Sequence, residues 1–294
     1  MTALALLLPL LKIEIGIDPE IGEIAGFLIT WHGVFTAVGI GAGLWLALWL
    51  ADKRAIDADE AYTVGLLVVI GGIIGARALY VIENWSDFED DLGEIIAITE
   101  GGISIYGALL GGTIFGLVYA WLRPGKIPIL AGGDCAAAGA LIGQAIGRIG
   151  DVINGEHIAE SSDLAWAVEY THIDSPSFGL AAQHPAVAYE LLGDLLILGV
   201  VLVLFFRVRR PGWGFFTWFF GYGLLRFLVS FLRQDEEVLG DLVMAQAIAI
   251  GGMAIGLAGY AWLAIRGEPA GPSRAERRRA RREAEQRERA SPAR

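Results

Sequence analysis

Cysteine is all but missing from this chain of 294 residues, and the one thiol, Cys135, excludes an internal disulfide or a metal site built from several cysteines. Its place inside an apolar run reads as that of a small buried residue. Charge is scarce as well. Only 19% of the residues are charged against 55% hydrophobic, and the mean hydropathy is +0.55. A soluble globule of that composition would leave far too much apolar surface in water. What the chain has in plenty is apolar runs of about 20 residues, each long enough as a helix to cross roughly 30 Å of hydrocarbon. These features predict an all-α polytopic membrane protein.

Seven transmembrane helices are expected, at about Ile24 to Leu50, Ala61 to Ile82, Gly101 to Leu122, Ile129 to Gly150, Pro185 to Phe206, Trp213 to Leu232 and Leu242 to Ile265. Leu4 to Leu11 is too short to span, lacks the basic start and small-residue cleavage site of a signal peptide, and is expected along the interface. Between Asp151 and Gln183 lies room for a small extracytoplasmic head segment, with Leu164 to Tyr170 as a short strand between Ser161-Ser162 and Asp174-Ser175-Pro176. Residues 1–265 then form one transmembrane domain that includes the head at about 151–183, and residues 266–294 form a basic cytoplasmic tail.

Charge fixes the expected orientation. The tail carries ten arginines against five glutamates, a net of +5, which leaves −16 for the remainder of a chain whose total is −11. Lys53 and Arg54, Arg123 and Lys126, Arg207, Arg209 and Arg210, and the tail fall on one side of the seven-helix arrangement. That side is cytoplasmic by the positive-inside rule, with the amino terminus and the acidic loops outside. Attraction to an anionic inner leaflet accounts for the tail without nucleic acid as a partner. Glycines four apart, at 39 and 43, 71 and 75, 107 and 111, and 143 and 147, predict closely packed helices.

The stretch from Gly143 to Glu156 ends an otherwise apolar run with Arg148, Asp151, Asn154 and Glu156. Charges at membrane depth are costly and mark functional sites. Arg77, Arg226 and Arg233 also stand near or inside spans toward the outer side. Arginines near a helix end can snorkel to the interface, but a guanidinium also offers fixed donors that match two phosphate oxygens at once. An outward-facing anion site in a membrane points to a phospholipid head group. Glu190 and Asp194, four apart within the fifth span, require arginine partners or a proton.

The stretch Gly147-Arg148-Ile149-Gly150-Asp151-Val152-Ile153-Asn154-Gly155-Glu156 resembles the signature G-R-x-G-N-F-x-N-x-E of the bacterial prolipoprotein diacylglyceryl transferase family. Further motifs follow in the family's order. Trp31-His32-Gly33 stands where the family has W-Y-G, and Gly75 to Val81 resembles G-x-R-x-x-Y-V. Gly101 to Gly107 is similar to G-G-x-x-x-[HY]-G, and Leu164 to Val168 to L-P-W-A-V. His184 to Glu190 is similar to H-P-x-x-L-Y-E, and Gly223 to Phe227 with Arg233 to G-x-x-R-F…R.

The resemblance implies transfer of the diacylglyceryl group from phosphatidylglycerol to the lipobox cysteine thiol in a prolipoprotein signal peptide, at the plasma or inner membrane, with no metal or cofactor. It assigns head-group and transition-state contacts to Arg148 and Arg226, with Asn154, Glu156 and Glu190 shaping the substrate site, and it sets Tyr106 where the family has histidine or tyrosine. Beside the likeness, Arg77 and Arg233 are expected to bind substrate with Arg148, and Tyr106, Asp151 and His32 to belong to the catalytic set. His32 replaces the family's tyrosine, Asp151 an asparagine, Ala159 a glycine, and Ser230 an acidic residue. Those departures leave open a noncatalytic relative that binds anionic phospholipid or a membrane partner. They also raise the expectation that His32 and Asp151 meet, because an aspartate beside an imidazole fixes its tautomer and leaves a base for a thiol proton.

Overall fold

The structure is a computed structural model that describes residues 12–24, 27–89, 91–96, 102, 104–208, 210–234, 237–239 and 242–266. The amino-terminal segment, the tail beyond 266 and the Tyr106 side chain lie outside what it describes. Among the described residues are seven helices of 18 residues or more, one for each apolar run: α1 (Trp31–Lys53), α2 (Ala58–Glu83), α4 (Ile105–Leu122), α5 (Ile129–Asn154), α6 (Ala186–Arg207), α7 (Trp213–Ser230) and α8 (Met244–Arg266). A single turn, α3 (Trp85–Phe88), follows α2. Five of these helices, α1, α2, α5, α6 and α8, are long and apolar enough to cross a membrane, and α4 is a shorter apolar helix. Large apolar side chains such as Trp45, Ile73, Leu110, Leu196 and Ile255 face outward, while the buried faces hold alanine, glycine and polar residues. That inversion of the soluble pattern suits a hydrocarbon surround, where helices associate through close packing rather than hydrophobic burial.

The first helix begins later than its hydropathy predicts. Residues from Ile24 onward belong to an antiparallel hairpin, β2 (Glu20–Ile24) with β3 (Phe27–Thr30), and α1 starts at Trp31. Thr30 ends the strand because its hydroxyl accepts from Gly33 N at 3.1 Å, satisfying a first-turn donor that has no partner in the helix.

Glycine pairs bring the helices together two by two. Gly39 and Gly43 of α1 face Gly143 and Gly139 of α5 so closely that a methyl group on either α1 glycine would come within 2.5 Å of the opposing carbonyl oxygen. Gly71 and Gly75 of α2 meet Gly107 and Gly111 of α4 in the same way. The expected pair at 143 and 147 is corrected, since Gly139 and Gly143 form the contact strip and Gly147 faces open space. Helices α5, α6 and α7 pack against one another as the centre of the bundle, and α8 packs on α7.

The head sits over the carbonyl end of α5. Gly155 takes a left-handed conformation (φ 72°) that ends the helix, and a side chain there would strike Ser175 and the Tyr170 ring. Three head hydroxyls then donate to carbonyls that α5 leaves open: Tyr170 to Val152 (2.8 Å), Ser175 to Asn154 (2.9 Å) and Ser177 to Gly155 (2.7 Å). Burial, and next the charge of Asp151, push the Tyr170 phenol up to about 12, so it remains a donor at any physiological pH. The expected strand is real but shorter, β4 (Val168–Tyr170), and it pairs in parallel with β1 (Ile13–Ile15). A last hairpin, β5 (Glu237–Leu239) with β6 (Leu242–Val243), precedes α8.

Candidate active site

Glu190, one turn into α6, is fully buried and met by three guanidiniums. Arg148 of α5 approaches it at 2.5 Å, Arg226 of α7 at 3.0 Å and Arg233 at 3.5 Å. Arg233 reaches this point because Ala159 bridges to it across the chain and Glu160 N donates to Leu232 O, which ties the end of α7 to the head. Leaving a carboxylate in that interior without partners would cost several kcal/mol, and three arginines more than answer it. The arginines are not sealed in, with 19%, 16% and 9% of their side chains exposed for Arg148, Arg226 and Arg233.

Arg148 also donates to Asp151 Oδ2 at 2.8 Å, one turn along the same helix. The other oxygen of Asp151 takes Nδ1 of His32 in a short hydrogen bond. Gly150 makes that meeting possible, because a methyl group in its place would lie 2.7 Å from His32 Cα. Nδ1–H of His32 is thus committed to the carboxylate, and Nε2 keeps a free lone pair. The His32 side chain is 44% exposed, open to an incoming group. Asn154 donates to Glu156 Oε1 at 2.7 Å, and Glu156 Oε2 lies 3.9 Å from the His32 ring.

Four helices, α1, α5, α6 and α7, with the residues just beyond α5 and α7, therefore bring His32, Arg148, Asp151, Asn154, Glu156, Glu190, Arg226 and Arg233 to one place. Arg77 has contacts of another kind. Its guanidinium donates to the carbonyls of Glu94 (2.6 Å), Ile95 (2.8 Å) and Gly102 (2.8 Å), between the Tyr80 and Phe88 rings, and braces the connection between α2 and α4. His157 is the converse case. Its sequence position reads as a solvated loop, yet Nδ1 lies 3.0 Å from Arg233, and Nε2 lies 3.5 Å from Arg148 and 3.6 Å from Asp151. Its place directly after Glu156 in the signature stretch was the one available signal.

His32, Asp151 and Glu156 offer a nitrogen and two carboxylate oxygens within 4.8 Å of one another, which could hold a cation. Asp151 has already spent one oxygen on His32 and the other on Arg148, and a guanidinium at 2.8 Å repels a cation there. The arrangement suits an anion better: guanidiniums from two core helices to hold a phosphodiester, and an imidazole set by a carboxylate to take a proton.

The comparisons with known proteins agree with this chemistry. The chain resembles proteins named phosphatidylglycerol–prolipoprotein diacylglyceryl transferase from Trichormus variabilis, 35% identical over 271 residues that cover 89% of this chain and 95% of the relative. The protein of that name from Gloeobacter violaceus is 34% identical over 251 residues, 83% of this chain and 92% of the relative. That from Clostridioides difficile is 31% identical over 239 residues, 81% and 92%. A profile of the family described as prolipoprotein diacylglyceryl transferase matches residues 19–262. It takes in every residue of the arginine and carboxylate cluster, and the chain belongs to the prolipoprotein diacylglyceryl transferase family.

Proposed function

We propose that this protein transfers the diacylglyceryl group of phosphatidylglycerol to the lipobox cysteine of prolipoproteins, with the site opening at the outer side of the plasma or inner membrane. The observation that carries the proposal is the convergence of Arg148 and Arg226 on Glu190, directly beside the His32–Asp151 pair. Arg148 and Arg226 hold the phosphodiester of the donor lipid. His32 takes the thiol proton at Nε2, and the thiolate attacks the glyceryl carbon bonded to phosphate. A sulfur–carbon bond forms as the carbon–oxygen bond breaks, and glycerol phosphate leaves with the electron pair. The growing charge on the phosphate is met by guanidiniums already in place, which is where preorganised donors lower a barrier most. The proton on His32 returns to the leaving group or to water. Asn154 and Glu156 line the approach beside His32, Arg233 with His157 holds Glu190 and Asp151 in register, and the family resemblance adds Tyr106 to the catalytic set. The noncatalytic alternative rests on the changed residues at 32, 151, 159 and 230, and the direct pairing of the first two favours a working base instead.

In this reading all seven long helices span the membrane, residues 1–265 form one domain with an extracytoplasmic head, and the basic tail lies in the cytoplasm. The pairing of Arg54 with Asp134 and of Arg123 with Glu60 gathers basic residues at the end opposite the cluster, in support of that topology. Transfer from phosphatidylglycerol to a synthetic lipobox peptide by the purified protein tests the activity, and absence of a thioether product would refute it. Labelling of an Asp174→Cys variant on intact cells tests the orientation. Asp174 is exposed and the native Cys135 is buried, so labelling only after lysis would place the head inside.

A further inference from the structure

One helical turn deeper than the arginine cluster, the same three helices each repeat a polar residue. Gln144 stands four residues before Arg148 on α5, Asp194 four after Glu190 on α6, and Tyr222 four before Arg226 on α7. The directions of the steps match, since α5 and α7 end at the cluster while α6 begins there. The polar residues therefore form a second layer about 6 Å below the first. Asp194 is fully buried, and neither of its oxygens has a hydrogen-bond partner. Gln144 Oε1 is likewise enclosed and unpartnered. Tyr222 lies in the field of Arg148, Glu190, Asp194 and Arg226.

Buried acceptors without donors are expensive, and native interiors leave few of them unanswered. All three orphaned atoms are acceptors, so whatever completes the layer brings O–H or N–H groups. Resting on the transferase reading above, we propose that Asp194 and Gln144 form the subsite for the two hydroxyls of the donor's head-group glycerol, and so select phosphatidylglycerol among anionic phospholipids. Displacement at carbon needs the thiolate and the leaving oxygen in line, on opposite sides of the glyceryl carbon. The proton acceptor His32 stands at the outer end, so the leaving phosphate and its glycerol point inward. From a phosphate held by Arg148 and Arg226, three carbons of glycerol reach about one turn deeper. In the free protein the Arg148–Glu190 pair covers this layer, and a phosphodiester that takes over the guanidiniums releases Glu190 and uncovers it.

The test compares phosphatidylglycerol with phosphatidylpropanol, which keeps the charge and acyl chains and lacks both head-group hydroxyls. Equilibrium binding and transfer to a lipobox peptide are measured for both lipids on the same preparation of full-length protein, so that ratios cancel the folded fraction. Wild type is expected to favour phosphatidylglycerol by about tenfold or more, because a site built for hydroxyls rejects an analogue without them. Asp194→Leu and Gln144→Leu should bring the ratio toward one chiefly by weakening phosphatidylglycerol, with Asp194→Asn intermediate since one acceptor oxygen remains. Should Asp194→Leu not fold, Gln144→Leu and Asp194→Asn decide alone. A wild-type binding ratio near one, or a ratio that survives both substitutions, overturns the subsite and leaves water or packing as the role of this layer. Selective binding without any transfer would count against the transferase reading and leave the subsite standing.

Discussion

Asp134, near the start of α5, and Glu190, on α6, are both buried carboxylates met by arginine, yet the donors they accept differ in kind. Asp134 takes the backbone N–H groups of Gly212 (3.0 Å) and Phe215 (2.9 Å), with Arg54 at 3.5 Å. It caps the first turn of α7, whose leading donors have no partner within the helix, from a neighbouring helix. Arg54 there is only 6% exposed, lies over the Phe205 ring and donates to the Phe205 carbonyl at 3.2 Å. Glu190 takes side chains alone, and two of its arginines keep more than a tenth of their surface exposed. A backbone donor cannot be lent to a substrate without unwinding a turn, whereas a guanidinium has five N–H groups to share. Burial of a charge thus does not distinguish the two ends of the bundle, and the source of the donors does.

The sharpest break in that comparison is expected at Arg148. Arg148→Lys keeps the charge but cannot bridge Glu190, Asp151 and a phosphate with one planar fork. Transfer should fall by about 10³-fold, toward the upper end for loss of a transition-state donor, with thermal unfolding close to wild type. Arg226→Ala should behave similarly. Wild-type rates in well-folded preparations of both would remove these arginines from the mechanism. At the other end the signs reverse. Asp134→Ala strips two backbone donors of their acceptor and leaves Arg54 buried without its carboxylate, and should cost about 3 kcal/mol of stability. Thermal unfolding in detergent reads that loss, while the rate per folded molecule should hold. An Asp134→Ala protein of normal stability and reduced rate would make the two ends alike.

Hydropathy finds every long helix, because length and apolarity are what lipid demands of a span. It misplaces the start of the first one, since Phe27-Leu28-Ile29 is as apolar as the helix that follows and only the Thr30 cap marks the change. The cluster at the end of α5 is legible because polar groups that close an apolar run have few other uses. The layer below it is legible only in part. Asp194 is marked by its spacing from Glu190, but Gln144 and Tyr222 carry no such sign, and only the register of three packed helices brings the three level. The carbonyls that Arg77 meets are hidden for a related reason, because no sequence displays its backbone partners. His157 is missed because the turn at Gly155 folds it back over α5.

The His32–Asp151 pair probes the cluster on a smaller scale. Asp151→Asn and His32→Tyr, each restoring the family's residue alone, leave a partner mismatched and should slow transfer by roughly tenfold to a hundredfold, at or below the low end for a general base. The double variant should recover most of the rate, giving a coupling free energy that a cycle of four rate measurements reads directly. Additive effects, or single variants faster than the parent, would show that the two residues act independently.

The smallest effect separates packing from site on α5 itself. Gly143 and Gly147 lie one turn apart, and the sequence gives no reason to treat them differently. Gly143 backs onto α1, where a methyl group would come within 3.0 Å of the Gly39 carbonyl oxygen, while nothing lies within 4 Å of the same position at Gly147. Gly143→Ala pushes α1 and α5 apart and should cost about 1 to 3 kcal/mol, as overpacking of a tight interior does. The same displacement draws His32 from Asp151, since both pairs sit along one helix contact, so its transfer rate should fall as well. Gly147→Ala meets no wall and removes a flexible residue from a helix interior, and should gain roughly 0.5 to 1 kcal/mol. Its rate should stay at the wild-type level although its neighbour is Arg148. Thermal unfolding and transfer measured on both variants decide. Equal loss of stability in the two would contradict the α1–α5 contact, and a slower but more stable Gly147→Ala protein would mean that the open space beside Arg148 is filled when substrate binds.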